Sequence, residues 1–565
     1  MKQNILITLL LSVNLSLHAQ VNLDSIRQVF NERITKSMKK NNVIGASVAV
    51  VSSEGLLWID NFGFENLATE KEVTENTVFG IGSVTKVFTG TSVMQLVDQD
   101  KVDLDAPFRN YLPNFNLKGD HAGITTRNIM THHSGLPSDI FKGMFSNKPE
   151  NYKVVVDYMN QEYLAGVPNQ IRAYSNSGYT LLGHMIAEVS GMEYDQYVMK
   201  HILKPLEMNS SAFNALNEAS LTYDGKGKYQ KDALLRDLPA GGLFSSANDM
   251  SKFLVAYMSK SEKLLKAETY NRVQKPQHPN TPLDFSDQFA LGWSMAHRPY
   301  AGEIFYHTGT TLHFNAAMAF SPSADLGVII LTNSDNGGSI YREVHNIIES
   351  LSKASGLGKT EGRNITDLGN DKRLEVSPNE LEQYAGVYVT PGANIQVYQK
   401  RKKLFMKMKG LRAELIPVGE DTFLPKIILL KVIPMMQKDN RMHFEKIDGY
   451  SLLTNSEVGS QKEIMAMKLT PQVIPNAWKA RTGEYKVKQL LEGEIEFFTN
   501  YKLLEKDGLL IFSFEQKNNG QKIEMTLQTI NDTLAKVAGL GRYAGQTVIY
   551  ENGMLKAFGL ELEKK

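Results

Sequence analysis

Strand-like runs stand at both ends of the first 355 residues with a long helical stretch between them, and this layout constrains the fold more than any other feature. Two runs come early, Val43–Val51 and Leu56–Phe62, joined by the hairpin signal Ser53-Glu-Gly55. Three come late, Ile304–His307, Phe314–Phe320 and Val328–Leu331, with turns at Gly309 and at Ser321–Asp325. Helical spacing marks Asp24–Lys40, the segment from Ser83 to about Asp98–Lys101, and the closing Ile340–Leu351, while roughly 103–270 reads mostly as helices and loops. Strands this far apart in sequence predict an α/β (α+β) domain over 20–355. Its antiparallel sheet would join in space, flanked by helices and carrying a helical subdomain.

Lys353–Asp371 is rich in Gly, Lys, Asn and Thr, which puts a linker at 356–375. Beyond it the chain turns to short strand-like runs such as Ile395–Tyr398, Leu404–Met408, Glu414–Val418, Thr526–Ile530 and Thr547–Glu551. Tyr384-Ala-Gly-Val-Tyr388 recurs as Arg481-Thr-Gly-Glu-Tyr485, its glycines 97 residues apart (483 − 386). Two small antiparallel β-barrels, 376–472 and 473–565, fit that period, the other reading being one larger sandwich.

Composition narrows the function. The 62 basic and 61 acidic residues nearly cancel without long blocks of either sign, which argues against nucleic acid and leaves small-molecule or short peptide substrates. Residues 1–19 combine Lys2, the apolar run Ile5–Val13 and Leu17-His-Ala19, the shape of a cleaved export signal, so a periplasmic or secreted protein is expected. The other reading is a short membrane anchor. No other stretch is apolar for long enough to span a bilayer, so no stable membrane insertion is expected after cleavage, and a homo-oligomer stays open. The chain has no cysteine, which excludes disulfides and thiolate nucleophiles. Its 12 histidines include His132-His133 but form no His-Glu-x-x-His, so neither a metal site nor a cofactor is implied.

The chemistry is carried by Phe79-Gly-Ile-Gly-Ser-Val-Thr-Lys86. Residues i and i+3 share a helix face, so the Lys86 amine can reach the Ser83 hydroxyl and, when neutral, take its proton. Gly80 and Gly82 would let the chain turn before the helix, leaving Ser83 near an N-terminus that favours developing negative charge. The pattern alone is weak, because Ser37-Met-Lys-Lys40 matches it within a run that reads as a surface helix. Acyl transfer also needs a second proton shuttle and a grip on the substrate. Candidates are Tyr174-Ser-Asn176, in a polar turn before the helix-like Leu181–Val189, and His307-Thr-Gly309 at a strand end.

These three elements, in this order, resemble the serine β-lactamase and penicillin-binding protein superfamily, whose motifs are Ser-x-x-Lys, Tyr-x-Asn and Lys-Thr-Gly. Ile124–Pro137, Pro239–Ser246 and Leu326–Asn333 resemble stretches of its class C-like branch, and the resemblance covers about 24–350. Two decoys fall away on order and context. Tyr158-Met-Asn160 lies in an amphipathic run where Tyr158 reads as core, and His121-Ala-Gly123 precedes any Tyr-x-Asn. The resemblance implies a β-lactamase/transpeptidase-like fold in which Ser83 is the nucleophile, Lys86 its base and Tyr174 the shuttle to the leaving group. Asn176 would bind the substrate amide, with His307, Thr308, Gly309 and Thr310 lining the site. The N–H groups of Ser83 and Thr310 would form the oxyanion hole. The chain has no Glu-x-x-Leu-Asn, so deacylation would fall to Tyr174 and Lys86.

One departure bears on substrate. His307 stands where penicillin-recognising enzymes usually have lysine, and an imidazole near its reference pKa of about 6.5 is mostly neutral at pH 7. Loss of that cation predicts weaker recognition of carboxylate-bearing penicillins. Esterases and D-aminopeptidases of the superfamily commonly carry such a change, and D-aminopeptidases further resemble this chain in having two C-terminal lipocalin-like barrels. The expected activity is therefore of D-aminopeptidase, peptidase or esterase type. The alternatives are a true β-lactamase or DD-peptidase, and a non-catalytic ligand-binding or sensor protein.

Overall fold

The computed structural model describes residues 23–285, 288–360, 373–429, 433–437, 439–457, 462–517 and 520–565. The expected export signal at 1–19 lies outside them, as does most of the expected linker at 356–375. The chain forms two compact units that do not follow chain order. One takes residues up to 102 with 186–275 and 289–362, and the other takes 103–185, 276–288 and 363 to the end.

In the first unit the early and late strands meet. A seven-stranded antiparallel sheet runs in the order Ser294–Arg298, Gly302–Thr310, Asn315–Ser321, Leu326–Thr332, Gly45–Ser52, Gly55–Asn66, Lys71–Glu72. Its two halves join in the register Val48↔Ile330 and Val50↔Val328. The central strand Gly45–Ser52 is buried from Gly45 to Val51, as a run of small and β-branched residues covered on both faces should be. One face packs the helix at 23–41 and the helix Glu343–Ala354, with Phe30, Ile34, Ile347, Ile348 and Leu351 in one core with Val48 and Ile330. The other takes the helix Ala247–Met258 so closely that a Cβ on Gly327 would lie 2.7 Å from the Leu254 side chain. Ser294–Arg298 is a strand that sequence spacing did not announce. It is placed by hairpin pairing with Gly302–Thr310, such as Met295↔Phe305, rather than by β-propensity.

The second unit contains both C-terminal barrels. Eight strands from Gly386–Thr390 to Glu463–Lys468 form a ring, closed where Leu411–Gly419 pairs with Thr422–Leu429, and Ile433–Met436 adds to the latter. Eight more, from Gly483–Val487 to Leu560–Lys564, form a closed barrel through Tyr485↔Lys564. The sequence repeat is the start of each barrel. In both, a short helix leads through a glycine into the first strand, and the tyrosine hydroxyl donates back four residues: Tyr388 to the Tyr384 carbonyl at 3.0 Å, Tyr485 to the Arg481 carbonyl at 2.6 Å. Gly386 (φ 149°) and Gly483 (φ 146°) leave room for a lysine from the neighbouring strand, Lys468 and Lys564 respectively, which caps the preceding helix at Gln383 and Ala480. Among the described residues no helix is long and apolar enough to cross a membrane.

Candidate active site

Ser83 lies in the 3₁₀ turn Gly82–Val84, which runs directly into the helix Thr85–Asp98. That helix is buried from Thr85 to Leu96, so Lys86 belongs to the core, while Ser83 just ahead of it is half-buried. Lys86 is fully buried, and its Nζ donates to Ser83 Oγ at 3.1 Å and to the Ala240 carbonyl at 2.6 Å. The stretch Pro239–Ser246 thus has a local reason. It supplies the carbonyl that aims the lysine, while Pro239 O accepts from Thr89 Oγ1 at 2.6 Å and Leu243–Ser245 pairs with Phe79–Gly80 just ahead of the serine.

Gly82 turns the chain as expected, at φ 49°. Gly80 does not. It is the last residue of the strand Phe79–Gly80, and its need for a missing Cβ is close approach, with Phe314 2.8 Å from where that atom would be. The strand Gly302–Thr310 ends against the same turn. A Cβ on Gly309 would meet Ile81 O at 2.0 Å and Ser83 N at 2.8 Å, and one on Gly82 would meet Thr310 N at 2.6 Å. Gly309 is therefore fixed by backbone crossing backbone. His307 is buried in this strand opposite Met318, its Nδ1–H bonded to the neighbouring Thr308 carbonyl at 2.7 Å. Thr308 is half-buried, and Thr310 is exposed at the strand tip.

Two residues behind this strand carried no sequence signal. Asn315 accepts from Thr310 Oγ1 at 3.0 Å and anchors itself by donating to Ser334 O at 2.7 Å. Tyr341 places its hydroxyl on Gly309 O, 3.0 Å from Thr310 Oγ1. Burial pushes its phenol up to about 12 despite the bonds from Thr310 and the backbone, so it stays a neutral donor.

Tyr174 and Asn176 belong to the second unit, in a turn held from several sides. The Tyr174 ring lies against His132, centroids 4.2 Å apart, and His132 adopts φ 64° to get there. His132 Nδ1 accepts from Ser175 N at 3.1 Å, and His132 O accepts from Ala173 N at 2.7 Å. His133 bonds the Thr131 carbonyl through its Nδ1 at 2.8 Å. It pairs with Asp284 at 2.6 Å, and the other Asp284 oxygen accepts from Arg172 N at 2.9 Å, holding the approach to Tyr174. Asn176 opens the helix Asn176–Ser190, and its amide nitrogen donates to Asp139 Oδ1 at 2.7 Å.

The decoys behave otherwise. Ser37 sits inside the N-terminal helix beside the exposed Lys40, and Asn41 bonds its hydroxyl. Tyr158 is half-buried rather than core, its hydroxyl donating to Glu150 at 2.7 Å, and His121 lies in a loop against Gly119 O at 2.9 Å.

A serine and a buried lysine opening a core helix, beside the edge of an antiparallel sheet flanked by helices, define the class of the β-lactamase and penicillin-binding serine hydrolases. The family model described as Beta-lactamase matches residues 30–350, more than half of the chain, and the chain belongs to that family. Similar curated proteins include Protein flp of Staphylococcus aureus (strain MW2), 24% identical over 376 residues, covering 64% of this chain and 70% of flp. The putative penicillin-binding protein PbpX of Bacillus subtilis (strain 168) is 28% identical over 336 residues, covering 57% of this chain and 79% of PbpX. Among solved structures, SurE superposes with TM-score 0.58 at 20% identity, over 80% of this chain and all of that one. The octameric penicillin-binding protein homologue of Pyrococcus abyssi superposes with TM-score 0.52 at 21% identity, over 78% of this chain and 99% of that one. These likenesses are of fold.

Proposed function

We propose that this chain is a serine hydrolase working through an acyl-enzyme on amide or ester substrates, of D-aminopeptidase, peptidase or esterase type. The observation that carries the reading is the buried Lys86 amine 3.1 Å from Ser83 Oγ and aimed by Ala240 O. In the neutral form Lys86 takes the serine proton as Oγ adds to the substrate carbonyl. The N–H groups of Ser83 and Thr310 receive the oxyanion, with Gly309 and Tyr341 keeping that strand end in place. Tyr174 passes a proton to the leaving amine or alcohol as the acyl–Ser83 ester forms. Water then enters by the same route in reverse, giving the free acid and the starting serine. Asn176 binds the substrate amide.

His307 in place of a lysine supports substrates other than penicillins. The similar structure of SurE with D-Leu makes D-aminoacyl compounds the first class to test. Purified protein should be labelled by a fluorophosphonate in a manner lost in Ser83→Ala, and should hydrolyse D-aminoacyl amides or short p-nitrophenyl esters at higher kcat/KM than nitrocefin. Efficient nitrocefin hydrolysis without the other activities would overturn the substrate reading in favour of a β-lactamase. A folded wild type that is not labelled would overturn the enzymatic reading in favour of a ligand-binding protein.

A further inference from the structure

Asp139 is 1% exposed, and each of its oxygens takes a side-chain partner, with the Tyr543 phenol also bonded to the carboxylate. Oδ1 accepts from Asn176 Nδ2 at 2.7 Å. Oδ2 accepts from Arg542 Nη2 at 2.7 Å and Nε at 3.3 Å, and Arg542 comes from the second barrel, between Leu534–Val537 and Thr547–Glu551. The same guanidinium lies over the Tyr174 ring, 5.2 Å from its centroid. The barrel loop also grips the backbone of this turn. Tyr543 N donates to Ser138 Oγ at 2.9 Å, Gln546 bonds both Ser138 N (3.3 Å) and Asp139 O (3.2 Å), and Ser138 O accepts the amides of Asn176 (2.9 Å) and Ser177 (3.2 Å).

From this geometry we infer that Arg542 of the second barrel is a positioning residue for the active site. It holds the Asp139 carboxylate so that Asp139 orients the Asn176 amide, and it fixes the Tyr174 ring from above. Two features favour this over ordinary interface packing. A buried carboxylate that must orient an amide needs its second oxygen neutralised, and Arg542 does so by a charge-assisted bond. The guanidinium also reaches both of the turn's candidate functional side chains at once, one through Asp139 and one directly. The barrel is then part of the site's framework.

This rests on the hydrolase reading above, so the test has one arm that needs no turnover. In full-length Arg542→Ala, amide exchange over 172–178 should accelerate at least about tenfold while thermal unfolding stays cooperative. Against the best ester or amide substrate, kcat should fall about 10- to 100-fold with KM changed less than about threefold, the pattern of lost transition-state positioning. Both guanidinium nitrogens converge on one oxygen, so Arg542→Lys should recover most of kcat. The fall in Arg542→Ala/Asp139→Asn should not exceed that of the worse single variant, because Asp139 orients Asn176 only while Arg542 holds it. Should Arg542→Ala not fold, the lysine variant and Asp139→Asn, compared singly and together, decide the same question. Unchanged exchange over 172–178, unchanged kcat in an active enzyme, or a loss confined to substrates bearing a free carboxylate would each overturn the proposal, the last by making Arg542 a substrate contact. If the wild type itself turns nothing over, the exchange arm alone decides the positioning.

Discussion

Gly309 shows most directly how a single residue holds the site together. Its hydrogen faces Ile81 O and Ser83 N at distances no Cβ can occupy, so the strand carrying Thr310 reaches the serine turn only because this position has no side chain. Gly309→Ala must push the strand or the turn by roughly an ångström, and a displacement of that size costs on the order of 10²-fold in a positioned reaction. The expected outcome is a kcat/KM lowered about 100-fold and slower fluorophosphonate labelling of Ser83, with the melting temperature falling by only a few degrees. Labelling at the wild-type rate would show that the crossing is dispensable. At this scale the sequence was legible where the interacting groups are neighbours in the chain, as Ser83 and Lys86 are. It was silent on Arg542, which lies 403 residues from Asp139, because an ion pair between distant positions leaves no spacing to read. His132 was visible only as half of a histidine pair, and its role depends on a left-handed backbone that composition does not announce.

Elements were read from periodicity, and periodicity is strongest where one face or two are buried over several residues. The central strands and the helices Thr85–Asp98 and Glu343–Ala354 were legible for that reason. Much of the middle of the chain was not, Leu181–Val189 within the helix Asn176–Ser190 excepted, because helices there such as Thr126–Met130 and Val155–Met159 are short and placed by tertiary contacts. The segment after Asp139 is one such case. Phe141 enters the second barrel, stacking on Phe558 with centroids 4.7 Å apart and packing against Phe498 at 4.5 Å, and its amide donates to Phe558 O at 2.8 Å. This ring packs against the barrel core of Phe498, Phe514 and Phe558. Phe141→Ala should cost about 2–4 kcal/mol of unfolding free energy, the range for a large ring removed from a half-buried to buried site, read as a shift in urea midpoint. A shift below about 0.5 kcal/mol would mean that the segment rests on its backbone bonds alone.

For the molecule as a whole, the 97-residue repeat made two barrels legible, yet nothing in it said that the second barrel would be built into the unit that carries Tyr174. Glu162 records that union. It is buried beneath the barrel, with Oε2 accepting from Thr547 Oγ1 at 3.0 Å and Oε1 from Gly559 N at 3.3 Å. Burial raises its pKa, and the bonds from Thr547 and Gly559 and the charge of Lys118 oppose this only in part. The folded state therefore holds this proton more tightly than the unfolded chain. The associated stability is fully present below the ordinary carboxylate value of about 4.3 and is lost as pH rises through the higher folded value. Glu162→Gln removes that titration while keeping the shape, because Thr547 can turn its hydroxyl to accept from the amide and Gly559 N keeps its oxygen. Urea midpoints of the two proteins at pH 5 and pH 8 isolate the effect, since all other groups titrate in common. The glutamine variant should gain on the wild type as pH rises. A difference that is constant with pH would place the Glu162 carboxylate in water, with the second barrel standing away from it in solution.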